Sequence, residues 1–192
     1  VHGSRGLGDV YKRQEYNCLA YGPSGDHIKG ITNPLRDRES VNVLEDIEFI
    51  AFSAPGHTND QLSYYSDKTI GPILFSGDTL FSAGCGRLFE GTPEEMLYSM
   101  DAYHELPEDT LVYCGHEYTE SNLKFALAVE PGNEHIKTKI KEVDILRQSN
   151  KPSLPSILGI EMKINPFMRC REETIIEAAE LYASKKLNST AE

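Results

Sequence analysis

Three short segments of the sequence end in a residue that can bind a metal ion. His57, Asp78 and His116 each follow a predicted strand and a glycine, in the tripeptides Pro-Gly-His, Ser-Gly-Asp and Cys-Gly-His. Imidazole and carboxylate groups are ligands well matched to zinc. A carboxylate has two oxygens, so Asp78 could bridge two ions about 3.5–4 Å apart that share a hydroxide and polarise a substrate carbonyl. The pattern therefore favours metal-assisted hydrolysis.

Each of these residues alone is weak evidence for a metal site. A single histidine after a strand is more often a surface or hydrogen-bonded side chain, and Asp78 could merely cap the turn that follows it. The threefold recurrence strengthens the interpretation, because the carboxyl ends of neighbouring strands open into one crevice of an α/β fold. The other histidines lack this context and are expected to be solvated: His2, His27, His104 and His135.

The hydrophobic pattern places the three candidate ligands in a strand-rich first part of the chain. Short apolar runs predict a strand within 16–24, a hairpin over 41–52, and strands at 62–66, 73–75 and 110–114. A glycine-rich loop is expected over 81–92. Capping signals and helical periodicity predict helices at 92–105, 121–129, 134–148 and 172–187.

This change from strands to helices divides the chain into three parts. Residues 1–15 are expected to be a non-native or disordered leader, because no strand precedes their glycines. Residues 16–118 are expected to form a mixed α/β domain, and residues 119–192 a helical subdomain. We expect the chain to be a fragment of a longer protein.

The composition argues against several classes of partner. A formal net charge of −11 disfavours nucleic acid, because phosphate contacts need clustered cations. No apolar run approaches the roughly 20 residues of a membrane helix. Four scattered cysteines without a signal peptide indicate a reducing, cytoplasmic compartment, with a mitochondrial location open if a targeting segment was lost. We expect a monomer.

Four longer segments resemble glyoxalase II, the hydroxyacylglutathione hydrolase family of the metallo-β-lactamase superfamily. They are APGHTNDQLSYY, FSGDTLFSAGCGRLFEGTPEEM, LVYCGHEYTESNLKFALAVEPGN and INPFMR. The resemblance covers residues 16–187 and implies an α/β fold: an αββα sandwich, its N-terminal part missing, followed by a helical glutathione-binding subdomain. It implies hydrolysis of the thioester S-(D)-lactoylglutathione to D-lactate and glutathione, the second step of methylglyoxal detoxification, by a hydroxide bound to two metal ions.

The resemblance also implies a role for individual residues. His57 resembles a ligand of the first metal ion, His116 a ligand of the second, and Asp78 the bridging ligand. Two divalent ions are implied, zinc before iron or manganese. The implied contacts to the glutathione moiety are Arg87, Leu88, Phe89, Tyr118 and Lys186. The ordinary alternatives are a solvated side chain for Arg87 and core packing for Phe89 and Tyr118.

The sequence also departs from the family pattern. The principal ligand motif of the family, HxHxDH, is absent, so three ligands would be divided between two ions and could not hold them tightly. We therefore expect this chain to be nearly inactive alone and an N-terminally extended version to be active. Asp60 and Gln61 replace a Gly-His pair common among relatives, and Ala183 stands where the basic tail has an arginine.

Two other functions stay open at this point. One is a different enzyme of the metallo-β-lactamase fold, such as a mononuclear-iron persulfide dioxygenase, although the segment NPFMR counts against it. The other is a non-catalytic, truncated remnant that binds a glutathione-like ligand or nothing, which the missing motif favours.

Overall fold

A mixed six-stranded sheet forms the centre of the first part of the chain. The computed structural model describes residues 11–24, 28, 30–44, 46–69 and 71–191. The strands of this sheet are β3 (Ser40–Leu44), β4 (Ile47–Ser53), β5 (Leu62–Ser66), β6 (Ile73–Gly77), β9 (Leu111–Cys114) and β10 (Ser156–Ile157). Their order is β10-β9-β6-β5-β4-β3. Strands β6 and β9 pair in parallel, and the other neighbouring pairs are antiparallel.

This topology brings three loops to one edge of the sheet. Because antiparallel β5 lies between β4 and β6, these two strands run in the same direction, and β9 runs parallel to β6. The carboxyl ends of β4, β6 and β9 therefore point the same way. His57, Asp78 and His116 each follow one of these ends, as the sequence predicts.

Helix α1 (Pro93–His104) covers one face of the sheet and holds it in place. Thr92 and Glu95 form the predicted capping box at its start. The buried face of the helix contributes Met96, Met100 and Tyr103 to a cluster with sheet residues such as Leu74. The Tyr103 ring is fully buried, and its hydroxyl is 2.6 Å from Ser63 Oγ, so the polar end of this core residue is satisfied.

On the opposite face, the short parallel strands β1 (Tyr21–Pro23) and β2 (Asn33–Leu35) cover part of the sheet. Leu35 packs there with Val41 and Ala51. Further along the same sheet, the Phe75 ring lies 5.5 Å from that of Tyr113, and 42% and 37% of these residues are exposed. The rings of Phe75 and Tyr113 are thus only partly covered by the described residues.

The rest of the chain is mainly helical. It contains α2 (Thr119–Val129), α3 (Glu134–Gln148), α4 (Leu158–Ile164), a 3₁₀ turn (Pro166–Met168) and α5 (Glu173–Ala183). A separate apolar cluster joins α2, α3 and α4 to the turn at Ala83. Its members from these helices include Leu123, Ile136, Val143 and Ile164. Within the described ranges, none of these helices combines the length and apolar character needed to cross a membrane.

Glu130 ties the ends of several of these elements together. Its side chain is 6% exposed and accepts hydrogen bonds from Thr174 Oγ1 at 2.6 Å and Asn133 Nδ2 at 3.2 Å, and it pairs with Arg169. Burial alone would raise the pKa of this carboxyl, but the three donors together lower it. The ionised carboxylate is therefore the form that the fold stabilises.

Most predicted elements are confirmed, and the exceptions have local causes. The hairpin over 41–52 and the strand at 62–66 are present. The predicted loop over 81–92 is wrong in part, because it contains the hairpin β7 (Leu80–Phe81) and β8 (Gly84–Cys85). The last helix ends at Ala183 instead of near 187, since Ser184 adopts a left-handed conformation with φ 54°. Strand β10 and helix α4 were not predicted.

Several smaller predictions concern single residues. The prediction of a disordered leader over residues 1–15 is wrong for residues 11–15, which belong to a helix that continues to Tyr16. Residues 1–10, which include His2, and residue His27 lie outside the described residues. His135 is exposed, as predicted. His104 is also exposed, as predicted, and its Nε2 lies 2.8 Å from the Met168 carbonyl oxygen, a partner distant in sequence. All four cysteines are free thiols, which agrees with the prediction of reduced cysteines.

Candidate metal centre

The loop after β4 fixes the orientation of His57. Gly56 takes φ 134°, a conformation that favours glycine, and the imidazole follows it directly. His57 Nδ1 lies 2.8 Å from the carbonyl oxygen of Arg87. A carbonyl can only accept a hydrogen bond, so Nδ1 carries the proton and the neutral ring has its lone pair on Nε2. That nitrogen faces the carboxylate of Asp78, 3.4 Å from Oδ2.

Asp78 lies between the two candidate imidazoles. Its Oδ2 is the oxygen nearest His57, and its Oδ1 is 3.6 Å from His116 Nε2. The side chains of His57, Asp78 and His116 are 16%, 13% and 31% exposed, so the group is partly sheltered but open on one side. One carboxylate thus presents a different oxygen to each of two imidazole nitrogens.

His116 is held by aromatic neighbours. Its ring stacks on that of Tyr118 with centroids 5.1 Å apart and planes 15° from parallel. The edge of the Phe81 ring approaches both, at 6.1 Å from His116 and 5.4 Å from Tyr118. Tyr118 itself is 50% exposed, so the prediction of ordinary core packing does not describe it, and its ring is accessible beside the candidate centre.

Two glycines leave room for the Asp78 carboxylate and its backbone. A Cβ placed on Gly115 would meet Asp78 Oδ1, and one placed on Gly86 would meet the Asp78 carbonyl oxygen and lie 3.0 Å from His57 Nδ1. A larger residue at either position would have to displace the candidate ligands. Glycine at these two positions is therefore part of the construction of the site.

The segment 87–89 crosses directly over His57. The Phe89 amide donates to the His57 carbonyl oxygen at 3.2 Å, and the two rings meet edge to face with centroids 5.1 Å apart. Arg87 and Leu88 are exposed, and Phe89 is 63% exposed. The structure therefore brings these three predicted glutathione contacts next to a candidate ligand, with their side chains accessible.

Lys186 has a different environment. Its ammonium group binds the carboxylate of Glu180 at the end of α5, which raises the lysine pKa and lowers that of the glutamate. The lysine side chain is 89% exposed. No described contact joins it to His57, Asp78 or His116, so its assignment as a substrate contact stays a prediction.

Gln61 has a supporting position that the sequence did not reveal. Its Nε2 donates to the Ser76 carbonyl oxygen at 3.0 Å and to Thr79 Oγ1 at 2.6 Å, and Thr79 Oγ1 donates to the Ala54 carbonyl oxygen at 2.9 Å. These bonds join the loop after β4 to the turn that carries Asp78. Gln61 thus provides a cross-link between two loops of the site.

The candidate metal-binding atoms of the described side chains form two separate pairs. Among the residues that the structure describes, no cluster of three or more His, Cys, Asp or Glu side chains surrounds a single metal position. The contacts instead form two pairs, His57 with one oxygen of Asp78 and His116 with the other. This arrangement suits two ions bridged by Asp78, each receiving one imidazole and one carboxylate oxygen from this chain.

Comparison with known proteins assigns both parts of the chain. Residues 11–116 match the model of the metallo-beta-lactamase superfamily, and residues 117–191 match that of the hydroxyacylglutathione hydrolase C-terminus. A metallo-beta-lactamase of Staphylococcus aureus superposes with a TM-score of 0.60 and 20% identity, covering 95% of this chain and 49% of that one. This likeness shows the fold, which is the predicted metallo-β-lactamase architecture followed by a helical part.

Two relatives named hydroxyacylglutathione hydrolase are similar over most of the chain. One from Pseudomonas savastanoi pv. phaseolicola is 46% identical over 88% of this chain, and one from Pseudomonas putida is 43% identical over 98% of it. The chain spans 64% and 73% of the lengths of these two relatives. The predicted resemblance is therefore confirmed: the chain belongs to the hydroxyacylglutathione hydrolase family of the metallo-beta-lactamase superfamily.

Proposed function

We propose that this chain contributes the His57, Asp78 and His116 side of a two-metal site that hydrolyses glutathione thioesters. The observation that carries the proposal is the position of Asp78, whose two carboxylate oxygens face two different imidazoles at 3.4 and 3.6 Å. Family membership supports the same activity, thioester hydrolysis in methylglyoxal detoxification. The substrate we propose is S-(D)-lactoylglutathione, which water converts to D-lactate and glutathione.

The protonation pattern at His57 fits a cation at this place. With the Nδ1 proton donated to Arg87, a neutral ring turns its Nε2 lone pair towards Asp78 Oδ2. Two electron-rich atoms at that separation repel each other unless a proton or a cation lies between them. Hydrogen bonding of the distal nitrogen to a backbone carbonyl is also the usual way in which a metal-binding histidine is oriented.

Two divalent ions in this site would lower the pKa of a bound water and stabilise the negative charge that develops on the thioester oxygen. The superfamily fold implies divalent ions. We propose zinc as the metal, because imidazole and carboxylate donors suit it. His57 and His116 would each hold one ion, and Asp78 would bridge the two.

The exposed residues around the centre would bind and orient the substrate. Arg87 offers a cation that can pair with a carboxylate of glutathione, and Leu88, Phe89 and Tyr118 offer accessible apolar surface beside His57 and His116. Their contribution is to hold the thioester carbonyl near the ions. The thiolate of glutathione is a fair leaving group, so a strong general acid is not required.

Each ion would receive two donors from the described residues, whereas catalytic zinc sites have three protein ligands and structural sites four. We therefore propose that the chain as given binds metal weakly and turns over slowly. The complete activity would need further donors. A non-catalytic role for this chain by itself is the alternative that the two-donor geometry favours.

The test measures thiol release from S-(D)-lactoylglutathione by the purified chain in the presence of zinc. The same assay is run on a version extended by whatever the coding region carries before Val1, with Asp78→Asn as the matched variant. Activity in the extended protein that is lost in Asp78→Asn would support the proposal. Equal activity with and without the Asp78 carboxylate would refute it, and robust turnover by the 192-residue chain alone would contradict the donor count.

A further inference from the structure

The turn between β7 and β8 connects two parts of the candidate site. It follows Asp78 in the chain and precedes Arg87, whose carbonyl oxygen orients His57. Phe81 on its first strand contacts the rings of His116 and Tyr118. A shift of this turn would therefore move groups that touch both imidazoles.

The turn contains a backbone conformation that needs support. Ala83 is fully buried and has φ 56°, in the left-handed region that non-glycine residues rarely occupy. The conformation is unfavourable for a residue with a Cβ, because the Cβ comes too close to the following carbonyl oxygen. The surrounding contacts must hold the turn in this form.

Side chains from the helical part of the chain bind the polar groups of the turn. Glu161 Oε2 accepts a hydrogen bond from the Ala83 amide at 2.7 Å, and its Oε1 accepts one from Ser82 Oγ at 2.9 Å. Asn165 Nδ2 donates to the carbonyl oxygens of Phe81 at 3.1 Å and Gly84 at 3.0 Å. One carboxyl and one amide thus bind all four residues of the turn.

Glu161 and Asn165 are four residues apart at the C-terminal end of α4, so they project from the same side of the helix. They also contact each other, at 3.3 Å between Asn165 Nδ2 and Glu161 Oε2. Both side chains are fully buried. A carboxyl group in such a place is costly unless its partners are fixed, so its presence calls for a purpose beyond packing.

We propose that Glu161 is a positioning residue for the metal centre, which acts by holding the turn at Ser82 and Ala83 in the strained form that places the Arg87 carbonyl oxygen against His57 Nδ1. This inference deepens the proposed function and rests on it for the role of His57. It assigns to the helical part a task in building the metal centre, in addition to its predicted task in binding glutathione.

The test observes His57 directly, using the chain labelled with ¹⁵N in its histidines. In the wild type, the ring nitrogen shifts of His57 are expected to report a proton fixed on Nδ1. Glu161→Ala leaves the Ala83 amide unpaired and should lose this signature. Glu161→Gln should retain it, because the amide oxygen can still accept from Ala83 and its nitrogen can donate to Ser82 Oγ, which is able to accept.

Two further variants separate positioning from general loss of stability. Ile175→Ala removes buried apolar atoms from α5, outside the cluster that contains Ala83, and it should keep the His57 signature. Ala83→Gly combined with Glu161→Ala should restore the signature, since glycine adopts φ 56° without strain. If Glu161→Ala alone fails to fold, this double variant and Glu161→Gln remain as the test. A fixed Nδ1 proton in folded Glu161→Ala, or its loss in Ile175→Ala, would overturn the proposal.

Metal titration distinguishes this inference from the proposed function. The dissociation constant for cobalt(II) is expected to rise about 10- to 100-fold in Glu161→Ala, as for other losses of support behind a metal ligand. It should stay near the wild-type value in Ile175→Ala and Glu161→Gln. If the wild type and the extended protein bind no cobalt, the proposed function fails, while the imidazole spectra still decide the role of Glu161.

Discussion

Replacement of Gly115 by alanine should displace the Asp78 carboxylate while leaving the chain folded. A Cβ at this position would meet Asp78 Oδ1 and would lie 3.4 Å from both Asp78 Cγ and the Gly77 carbonyl oxygen. The backbone at Gly115 is outside the left-handed region, so alanine can adopt it. The conflict is therefore with the carboxylate, which must rotate away from His57 and His116.

The size of the effect follows from two opposing contributions. Overpacking of this kind costs about 1–3 kcal/mol. The alanine also restricts the unfolded chain, which returns about 0.4–1 kcal/mol. We expect the free energy of unfolding to fall by about 1.3 kcal/mol, the difference between the midpoints of these two ranges. In addition, the metal affinity should fall about 10- to 100-fold, because the substitution disturbs both imidazole–carboxylate pairs at once.

Urea unfolding followed by circular dichroism measures the free energy of unfolding, since the chain has no tryptophan to report by fluorescence. Competition with a zinc chelator measures the zinc affinity. Gly132→Ala is the matched control, because a Cβ there meets nothing within 4 Å. A Gly115→Ala variant that binds zinc as tightly as Gly132→Ala would refute the assigned position of the Asp78 carboxylate.

Three further predictions test other parts of the structure. Thr92→Ala removes the hydroxyl that accepts from the Glu95 amide and should lower the free energy of unfolding by about 1 kcal/mol in urea, with no change in zinc affinity. The pKa of Glu130 is lowered in the fold, so its contribution to the free energy of unfolding is complete above the ordinary pKa of 4.5 and is lost as the pH falls through the lower folded value. Glu130→Gln should therefore have a lower free energy of unfolding than the wild type at pH 7. Urea unfolding repeated at decreasing pH should show this difference shrink. Arg87→Ala should raise KM for lactoylglutathione in the extended protein about tenfold or more, because a charge-assisted hydrogen bond to the substrate is lost. Its zinc affinity should stay unchanged, because His57 binds the backbone carbonyl of residue 87 and not its side chain. A changed zinc affinity with an unchanged KM would contradict the assignment of Arg87 as a substrate contact.

The candidate ligands were predictable from the sequence because their positions depend on local signals. Apolar runs identify the strands that end before His57, Asp78 and His116, and the glycine before each ligand marks the turn. In the structure β4, β6 and β9 run in the same direction, so the three loops meet at one edge of the sheet. No contact between distant residues had to be known for this part of the prediction.

The support behind the ligands could not be predicted in the same way, because it consists of polar contacts between residues far apart in the chain. Glu161 binds Ser82 and Ala83 from almost eighty positions away. The turn itself was hidden because its left-handed residue is an alanine, where the sequence pattern would lead one to expect glycine or asparagine. The one available signal was Glu161 itself, a charged residue inside the otherwise apolar run 157–162, which indicates a buried acceptor with a fixed partner.

The loop that carries His116 is also anchored by residues after 150, as the turn at Ala83 is by Glu161. Glu117, next to His116, accepts hydrogen bonds from the Ser153 amide at 2.5 Å and the Ser153 hydroxyl at 2.7 Å, and these bonds lower the pKa of its carboxyl. Glu161 fixes the loop that orients His57, and Ser153 fixes the loop that carries His116. Each imidazole is thus held in register with Asp78 through a contact to residues after 150. A metal centre on the sheet edge whose two halves depend on these two contacts should lose metal affinity when either contact is removed, even where no ligand is changed.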